Sequence, residues 1–207
     1  MGKKKKKVKT TVYISLEGVR EKAFYDYLEE SLLTKDSNIN ITISPKRGGT
    51  SDTILQQAIK MKDCYDRVYA WFDEDVSLSD EMRKKLAEAW GYSQFTANIK
   101  DSELQRIYNN SGKKKPLLIV STPCCVDGML IKICNKQLPI KPSTFKCKSA
   151  ISGIMGKRGV NEEIEKQYYR DNLSIDNLRT RTDIEALPII FTIFEEENSK
   201  ITKIFKN

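Results

Sequence analysis

The chain has 207 residues, with 36 Lys and Arg residues against 28 Asp and Glu residues, a net charge of +8 and no histidine. This length favours one folded domain, and the positive charge favours a polyanionic partner such as nucleic acid. The absence of histidine excludes Ser-His-Asp triads, Cys-His nucleophile pairs and histidine-containing zinc sites. Any chemistry must therefore use carboxylates, lysines, hydroxyls or thiols.

The chain opens with basic residues and then with a strand that leads directly into a helix. The run Lys3–Lys7 lies in residues 1–10, which we interpret as a disordered basic tail that attracts phosphates without specificity. Thr11–Leu16 is rich in β-branched and aromatic residues and predicts the first strand. Glu17-Gly18 ends this strand, and apolar residues then recur at helical spacing over Val19–Leu33.

The same alternation of strand and helix continues through the next segments. Ile39–Ser44 alternates polar and apolar residues and predicts a second strand, which leads into a Gly-rich loop. A helix with an apolar stripe is predicted from Ser51 or Asp52 to about Asp63. Arg67–Phe72 then predicts a third strand, so the order so far is strand, helix, strand, helix, strand.

The pattern is less regular in the second half of the chain. A helix is predicted from Ser79 or Asp80 to Trp90, and residues 92–115 predict a polar excursion from the core that contains a short helix. Leu117–Val120 predicts a fourth strand that is covered on both faces, and the helical pattern resumes over Cys125–Cys134.

Strands that alternate with helices predict an α/β fold of the Rossmann-like type. We expect a mainly parallel sheet of about four strands with helices on both faces, formed by residues 11–136. Residues 137–207 are expected to form a mostly helical C-terminal elaboration that packs on this core.

The cysteines and the apolar runs bear on the compartment of the protein. The five cysteines lack CxxC spacing, and we expect them to be reduced thiols, mostly buried. No apolar run approaches the roughly 18 residues of a membrane span, and no secretory signal is recognisable. We therefore expect a cytoplasmic protein that does not bind membranes; its oligomeric state is left open.

Acidic residues follow two of the predicted strands. Glu17 follows the first strand, and Asp73 and Asp75 follow the third. The carboxyl ends of parallel strands lie at one edge of a sheet, so these carboxylates can form an oxygen-rich pocket suited to Mg²⁺ or Mn²⁺. A metal at that place can stabilise the charge of a phosphoryl transition state. An alternative is that the same residues only end strands and cap helices.

Basic residues near loops are candidates for phosphate contacts. Lys46 and Arg47 precede two glycines, and Lys113, Lys114 and Lys115 form a basic loop. We predict that these five residues bind nucleic acid, against the alternative that they are ordinary solvated surface.

Four motifs, kept in order, resemble a known family. They are VYISLEG with REKAFYDYL, RGGTSDTILQQAIK, YDRVYAWFDEDV and LLIVSTPCCVDGMLIKI. Their pattern is similar to that of the RloB-like family, which is associated with bacterial restriction and abortive-infection loci. The strand with Glu-Gly and the strand with Asp-x-Asp also resemble the Toprim domain of topoisomerases, primases, recombination proteins and several nucleases. The resemblance covers roughly Thr11 to Lys136.

This resemblance implies a Mg²⁺- or Mn²⁺-dependent nuclease that acts on RNA or DNA as an antiphage defence effector. Glu17 would be a general acid/base or a metal ligand, and Asp73 and Asp75 would be the principal metal ligands. The pocket would be lined by Gly18, Glu21, Ser121 and Pro123. The substrate, and whether a partner protein gates the activity, are left open.

One departure from the family favours a second interpretation. Where the family carries an acidic residue in the helix after the fourth motif, this chain has Val126, and Asp127 follows one step later. A nucleic-acid-binding or scaffolding subunit of a defence complex, with a degenerate Toprim site, is therefore the main alternative. A phosphotransfer regulator or nucleotide-binding switch is a more remote alternative, suggested by the Gly-rich loop.

Overall fold

The structure is a computed structural model that describes residues 9–46, 49–90, 99–110, 116–122, 125–134 and 161–195. Several predictions fall on residues outside these ranges. They concern the basic tail, Arg47, the loop Lys113–Lys115 and Pro123.

The fold is α/β, as the sequence predicts. Four parallel strands are hydrogen-bonded in the order β2-β1-β3-β4. Their bounds are β1 Thr10–Leu16, β2 Ile39–Pro45, β3 Arg67–Asp73 and β4 Leu117–Ser121. Each strand contains the segment predicted for it, with one more residue at one end.

In the described part of the first 134 residues, the helices lie where the sequence predicts them. They are α1 Val19–Leu32, α2 Ser51–Met61, α3 Asp80–Trp90, α4 Asp101–Asn109 and α5 Val126–Ile133. Three further helices lie closer to the C-terminus, namely α6 Glu162–Asn172, α7 Ile175–Arg179 and α8 Ala186–Thr192.

The sheet is covered on both faces because side chains alternate along each strand. In β1, Ile14 points to a cluster shared with α1, α5 and the helices α6–α8. Tyr13 points to the opposite cluster, which α2, α3 and α4 complete. The prediction of helices on both faces is therefore confirmed, and the last three helices pack on the α1 face of the sheet.

Helix α6 is fixed to α1 by both packing and charge. Tyr169 is 1% exposed and packs edge to face against Phe24 of α1, with ring centroids 5.7 Å apart. Lys22 of α1 binds Glu162 at the start of α6 at 2.8 Å. Tyr169 therefore belongs to the core.

The cysteines depart in part from expectation. Cys125 is buried and disulfide-bonded, which corrects the prediction of a reduced thiol at this position. Cys64 and Cys134 are reduced thiols, and Cys64 is exposed. Among the helices of the described residues, none is both long enough and apolar enough to cross a membrane.

Candidate active site at the carboxyl edge of the sheet

The predicted carboxylates meet at one edge of the sheet. Glu17 follows β1, and Asp73 is the last residue of β3, which pairs directly with β1. The backbone N–H of Asp73 donates a hydrogen bond of 3.1 Å to Glu17 Oε2. The parallel topology thus places the two carboxylates side by side, as the sequence predicts.

Asp73 also holds the start of a helix that comes 53 residues later in the chain. The N–H of Val126, the first residue of α5, donates to Asp73 Oδ1 at 2.8 Å. Cys125, at the N-cap position of α5, makes no capping bond with its own side chain. Asp73 therefore supplies the cap from β3, and its carboxylate lies at the positive end of the helix dipole.

Glu21 brings a third carboxylate to this edge from the first turn of α1. It is 3% exposed, although charged residues are rarely buried so fully without a partner. A Cβ atom at Gly18 would lie 3.1 Å from Glu21 Oε2, so the glycine leaves the room that this carboxylate occupies. Burial raises the pKa of Glu21 strongly, and the nearby charges of Glu17 and Asp127 raise it further, while backbone N–H groups oppose the shift.

The acidic groups raise one another's proton affinity. For Asp73, burial has the largest effect and raises the pKa well above its usual range. Repulsion by Glu21 and Glu17 adds to this increase, and the bond from Val126 opposes it. Burial also raises the pKa of Glu17, with a smaller contribution from Asp75. These groups therefore form one coupled acidic cluster.

Asp75 differs from the other predicted ligands because it is exposed in the turn after β3. Its charge contributes to the raised pKa of both Glu17 and Asp73, so it lies near them at the solvent side. Glu74, between the two aspartates, is turned away and accepts a hydrogen bond from Ser102 of α4. Because side chains alternate along this segment, Asp73 and Asp75 lie on the side of the acidic cluster and Glu74 lies on the other side.

The other predicted pocket residues have more varied positions. Gly18 is the N-cap residue of α1, beside Glu17. Ser121 pairs with Asp73 in the sheet, but it is fully buried and its hydroxyl accepts from the Trp71 indole N–H at 2.9 Å. Lys46 follows β2, and its N–H donates to the carbonyl of Leu16 at 2.9 Å, one residue before Glu17.

A second charged layer, which sequence reasoning did not identify as functional, lies behind Glu21. Arg20 of α1 binds Asp127 of α5 through a hydrogen-bonded ion pair, and its Nε lies 3.8 Å from Glu165 Oε1 of α6. Asp127 and Glu165 are 3% and 4% exposed. One signal was available: Glu165 is four residues before Tyr169, so an acidic residue shares the apolar face of α6.

The chemistry of the donor set suits a hard cation. Glu17, Glu21 and Asp73 offer carboxylate oxygens, the ligands that Mg²⁺ and Mn²⁺ prefer. One oxygen of Glu17 and one of Asp73 accept backbone hydrogen bonds, which leaves the second oxygen of each for another ligand. In the part of the chain that the structure describes, no three acidic or Cys side chains are already arranged around a common metal position.

Comparison with known proteins found no matching family model, curated protein or solved structure.

Proposed function

We propose that this protein is a metal-dependent phosphodiesterase that cleaves nucleic acid, a nuclease of the Toprim type. The observation that carries the proposal is the meeting of Glu17, Glu21 and Asp73, from two βα junctions and a helix, at the carboxyl edge of a parallel sheet. Their mutual repulsion is a free-energy cost that a bound divalent cation would remove. The resemblance of the motifs to the RloB-like family supports a role in bacterial antiphage defence.

In this proposal, Glu17 and Asp73 hold Mg²⁺ or Mn²⁺, and Asp75 completes the set from the solvent side. The ion would supply electrostatic stabilisation of the phosphoryl transition state and a more acidic bound water. Glu21 lies too deep to meet a polynucleotide, because it is 3% exposed. Its contribution would be negative charge that strengthens the hold of the other carboxylates on the cation.

The protein's own groups would bind substrate and move protons. The alternative role of Glu17 is that of general acid/base, with Asp73 and Asp75 alone holding the ion: its pKa is raised by burial, so it would accept a proton from an attacking water and return it to the leaving oxygen. Lys46 follows the neighbouring strand and would contact a phosphate of the substrate. The net charge of +8 would attract the polyanion to this otherwise acidic edge.

A specific observation favours the second candidate, a nucleic-acid-binding or scaffolding subunit. Asp127 follows the position at which the family carries an acidic residue, and it is paired with Arg20 rather than with the cluster. In addition, no three carboxylates of the described residues share a metal position as they stand. In this alternative the basic surface binds nucleic acid and the cluster has no catalytic role.

Cleavage assays distinguish the two candidates. The full-length protein would be incubated with end-labelled tRNA, single-stranded RNA, single-stranded DNA and duplex DNA, with Mg²⁺, Mn²⁺ or EDTA. We expect metal-dependent cleavage of at least one substrate and a loss of about 100-fold or more in Asp73→Asn and Glu17→Gln. The matched control is Glu81→Gln, which neutralises an exposed carboxylate bound only by Lys85 among the described residues.

Binding measured in parallel separates the outcomes. The nuclease proposal predicts that Asp73→Asn still binds nucleic acid but does not cleave it. If no substrate is cut with any metal and the protein still binds nucleic acid, the scaffolding candidate is correct. If Glu81→Gln loses as much activity as Asp73→Asn, the loss is not specific to the cluster.

A further inference from the structure

The charged layer behind Glu21 contains two carboxylates and one arginine. Arg20 is the one cation that faces both Asp127 and Glu165 among the described residues, and it binds Asp127 closely. Its distance of 3.8 Å from Glu165 Oε1 is that of an ion pair without a good hydrogen bond. Glu165 is therefore a second ion-pair partner of the Arg20 guanidinium, with which it does not form a good hydrogen bond.

The carboxylate of Glu165 is unusually costly in this position. It is 4% exposed, and its Oε2 has no hydrogen-bond partner among the described residues. The hydroxyl of Tyr169, one turn further along α6, is also buried without a partner there. Buried polar groups normally have partners, because an unpaired one loses its hydration without a replacement. A buried acceptor without a donor, next to a shared arginine, indicates an arrangement that is complete only in another state.

Asp127 connects this layer to the acidic cluster. Its charge contributes to the raised pKa of Glu21, so the two carboxylates are neighbours, and Glu21 in turn neighbours Glu17 and Asp73. A divalent cation held by Glu17 and Asp73 would attract Asp127 and repel Arg20. An arginine that lost Asp127 without another acceptor would be left partly buried and unpaired, which is costly.

We propose that Glu165 is a positioning residue of the metal site, which receives Arg20 when Asp127 turns toward the bound cation. This inference rests on the proposed metal site and adds to it a role for a helix outside the predicted Toprim-like core. Arg20 has five N–H donors in a planar fork, so a small rotation is enough to exchange one carboxylate for the other. Glu165 acts only through Arg20 and Asp127, and it touches neither substrate nor metal.

The inference predicts a specific pattern of Mn²⁺ affinity. Glu165→Gln keeps the volume of the side chain but removes the charge that receives Arg20, so Mn²⁺ must compete with Arg20 for Asp127. Residues that orient metal ligands typically change metal affinity by about 10- to 100-fold when they are replaced. We therefore expect the Mn²⁺ dissociation constant to rise by about 10-fold in Glu165→Gln.

A double-mutant cycle tests the route of this effect. Mn²⁺ binding would be measured by calorimetry and by electron paramagnetic resonance on the full-length wild type, Glu165→Gln, Asp127→Asn and the double variant. Because Glu165 acts through Asp127, Glu165→Gln should have no further effect in the Asp127→Asn protein. The matched control is Glu163→Gln on the same helix, whose side chain is 75% exposed and binds Lys166; its Mn²⁺ affinity should equal that of the wild type. Melting curves confirm that each variant is folded.

Three results would overturn the inference. They are equal Mn²⁺ affinity in Glu165→Gln and Glu163→Gln, an equal loss from Glu165→Gln in both Asp127 backgrounds, and the absence of Mn²⁺ binding by the wild type. The first two leave the proposed nuclease intact if the wild type still binds Mn²⁺ and cleaves. Conversely, the expected cycle without cleavage of any nucleic acid would support the positioning role and contradict the proposed activity.

Discussion

Replacement of Asp73 by Asn separates a metal-binding role from a structural role, because a repulsive acidic cluster predicts a gain in stability without metal and a purely structural cap predicts none. Asn keeps an oxygen that can accept the bond from Val126 at the start of α5, and Asn and Asp are about equally good helix caps. What the substitution removes is the negative charge, which burial and the charges of Glu21 and Glu17 make unfavourable. In the absence of metal, Asp73→Asn should therefore stabilise the protein.

The sign follows from proton linkage. The pKa of Asp73 is higher in the folded protein than the ordinary value of 3.8, so the folded state binds its proton more tightly than the unfolded state does. The stability that this proton provides is complete below about pH 4 and is lost as the pH rises toward the raised pKa of the folded state. At pH 7.5, the ionisable side chain of Asp73 consequently lowers the stability of the folded state, and Asn has no such effect.

The magnitude is the difference between two effects. Each unit of pKa shift corresponds to about 1.4 kcal/mol, so removal of the charge recovers at least this much for a shift of one unit or more. The lost interaction of the carboxylate with the dipole of α5 costs about 0.3–1 kcal/mol. A net gain of about 1 kcal/mol raises the melting temperature of a chain of this size by about 2–4 °C.

The assay is thermal unfolding with EDTA at pH 4.5 and pH 7.5. We expect Asp73→Asn to melt above the wild type at pH 7.5, with a smaller difference at pH 4.5. Asp75→Asn is the control, because Asp75 is exposed and its replacement should change stability by less than about 0.5 kcal/mol. If Asp73→Asn melts below the wild type at both pH values, the carboxylate is a structural cap and the argument for a metal site at this position fails.

Two other predictions concern the core and the tail. Arg83→Met removes the ion-pair partner that lies 2.6 Å from the buried carboxylate of Asp101. The free energy of unfolding, measured by urea titration, should therefore fall by about 3–5 kcal/mol. The control is Lys85→Met, which removes an exposed ion pair and should change the stability little. Deletion of residues 1–8, which include five lysines, should weaken nucleic-acid binding at low salt but leave the melting temperature unchanged. Equal binding of the full-length and truncated proteins across a salt titration would contradict the prediction for the tail.

The sheet and the first carboxylates were predictable because their signals are local. Arg67–Phe72 is strongly β-prone over consecutive residues, and Asp73 follows it directly, so the strand and the acidic residue at its end are found together. The rule that parallel strands share a carboxyl edge then places Asp73 beside Glu17, without knowledge of any side-chain contact. Distances of a few ångströms follow from topology alone in this case.

Contacts between distant segments were not predictable in the same way. The N–H of Val126 donates a hydrogen bond to Asp73, which is 53 residues earlier in the chain. Arg20 lies near Glu165, which belongs to a helix more than 100 residues later. Neither pair has a fixed spacing, since each depends on how α5 and α6 pack on the sheet. The side chain of Val126 departs from the pattern of the resembling motifs, yet its backbone N–H is what binds Asp73, a contribution that any residue except proline can make.

Adjacent residues of α1 divide the charged groups between two layers. Glu21 belongs to the cluster with Glu17 and Asp73, whereas Arg20, one position earlier, faces Asp127 and Glu165. Helix α6 covers this second layer and is fixed to α1 through its aromatic and charged contacts. Burial is the largest cause of the raised pKa of Glu21, and the charge of Asp127 in the second layer adds to it. The second layer thus meets the first through Asp127, and the packing of α5 and α6 against Arg20 of α1 holds that carboxylate in its place.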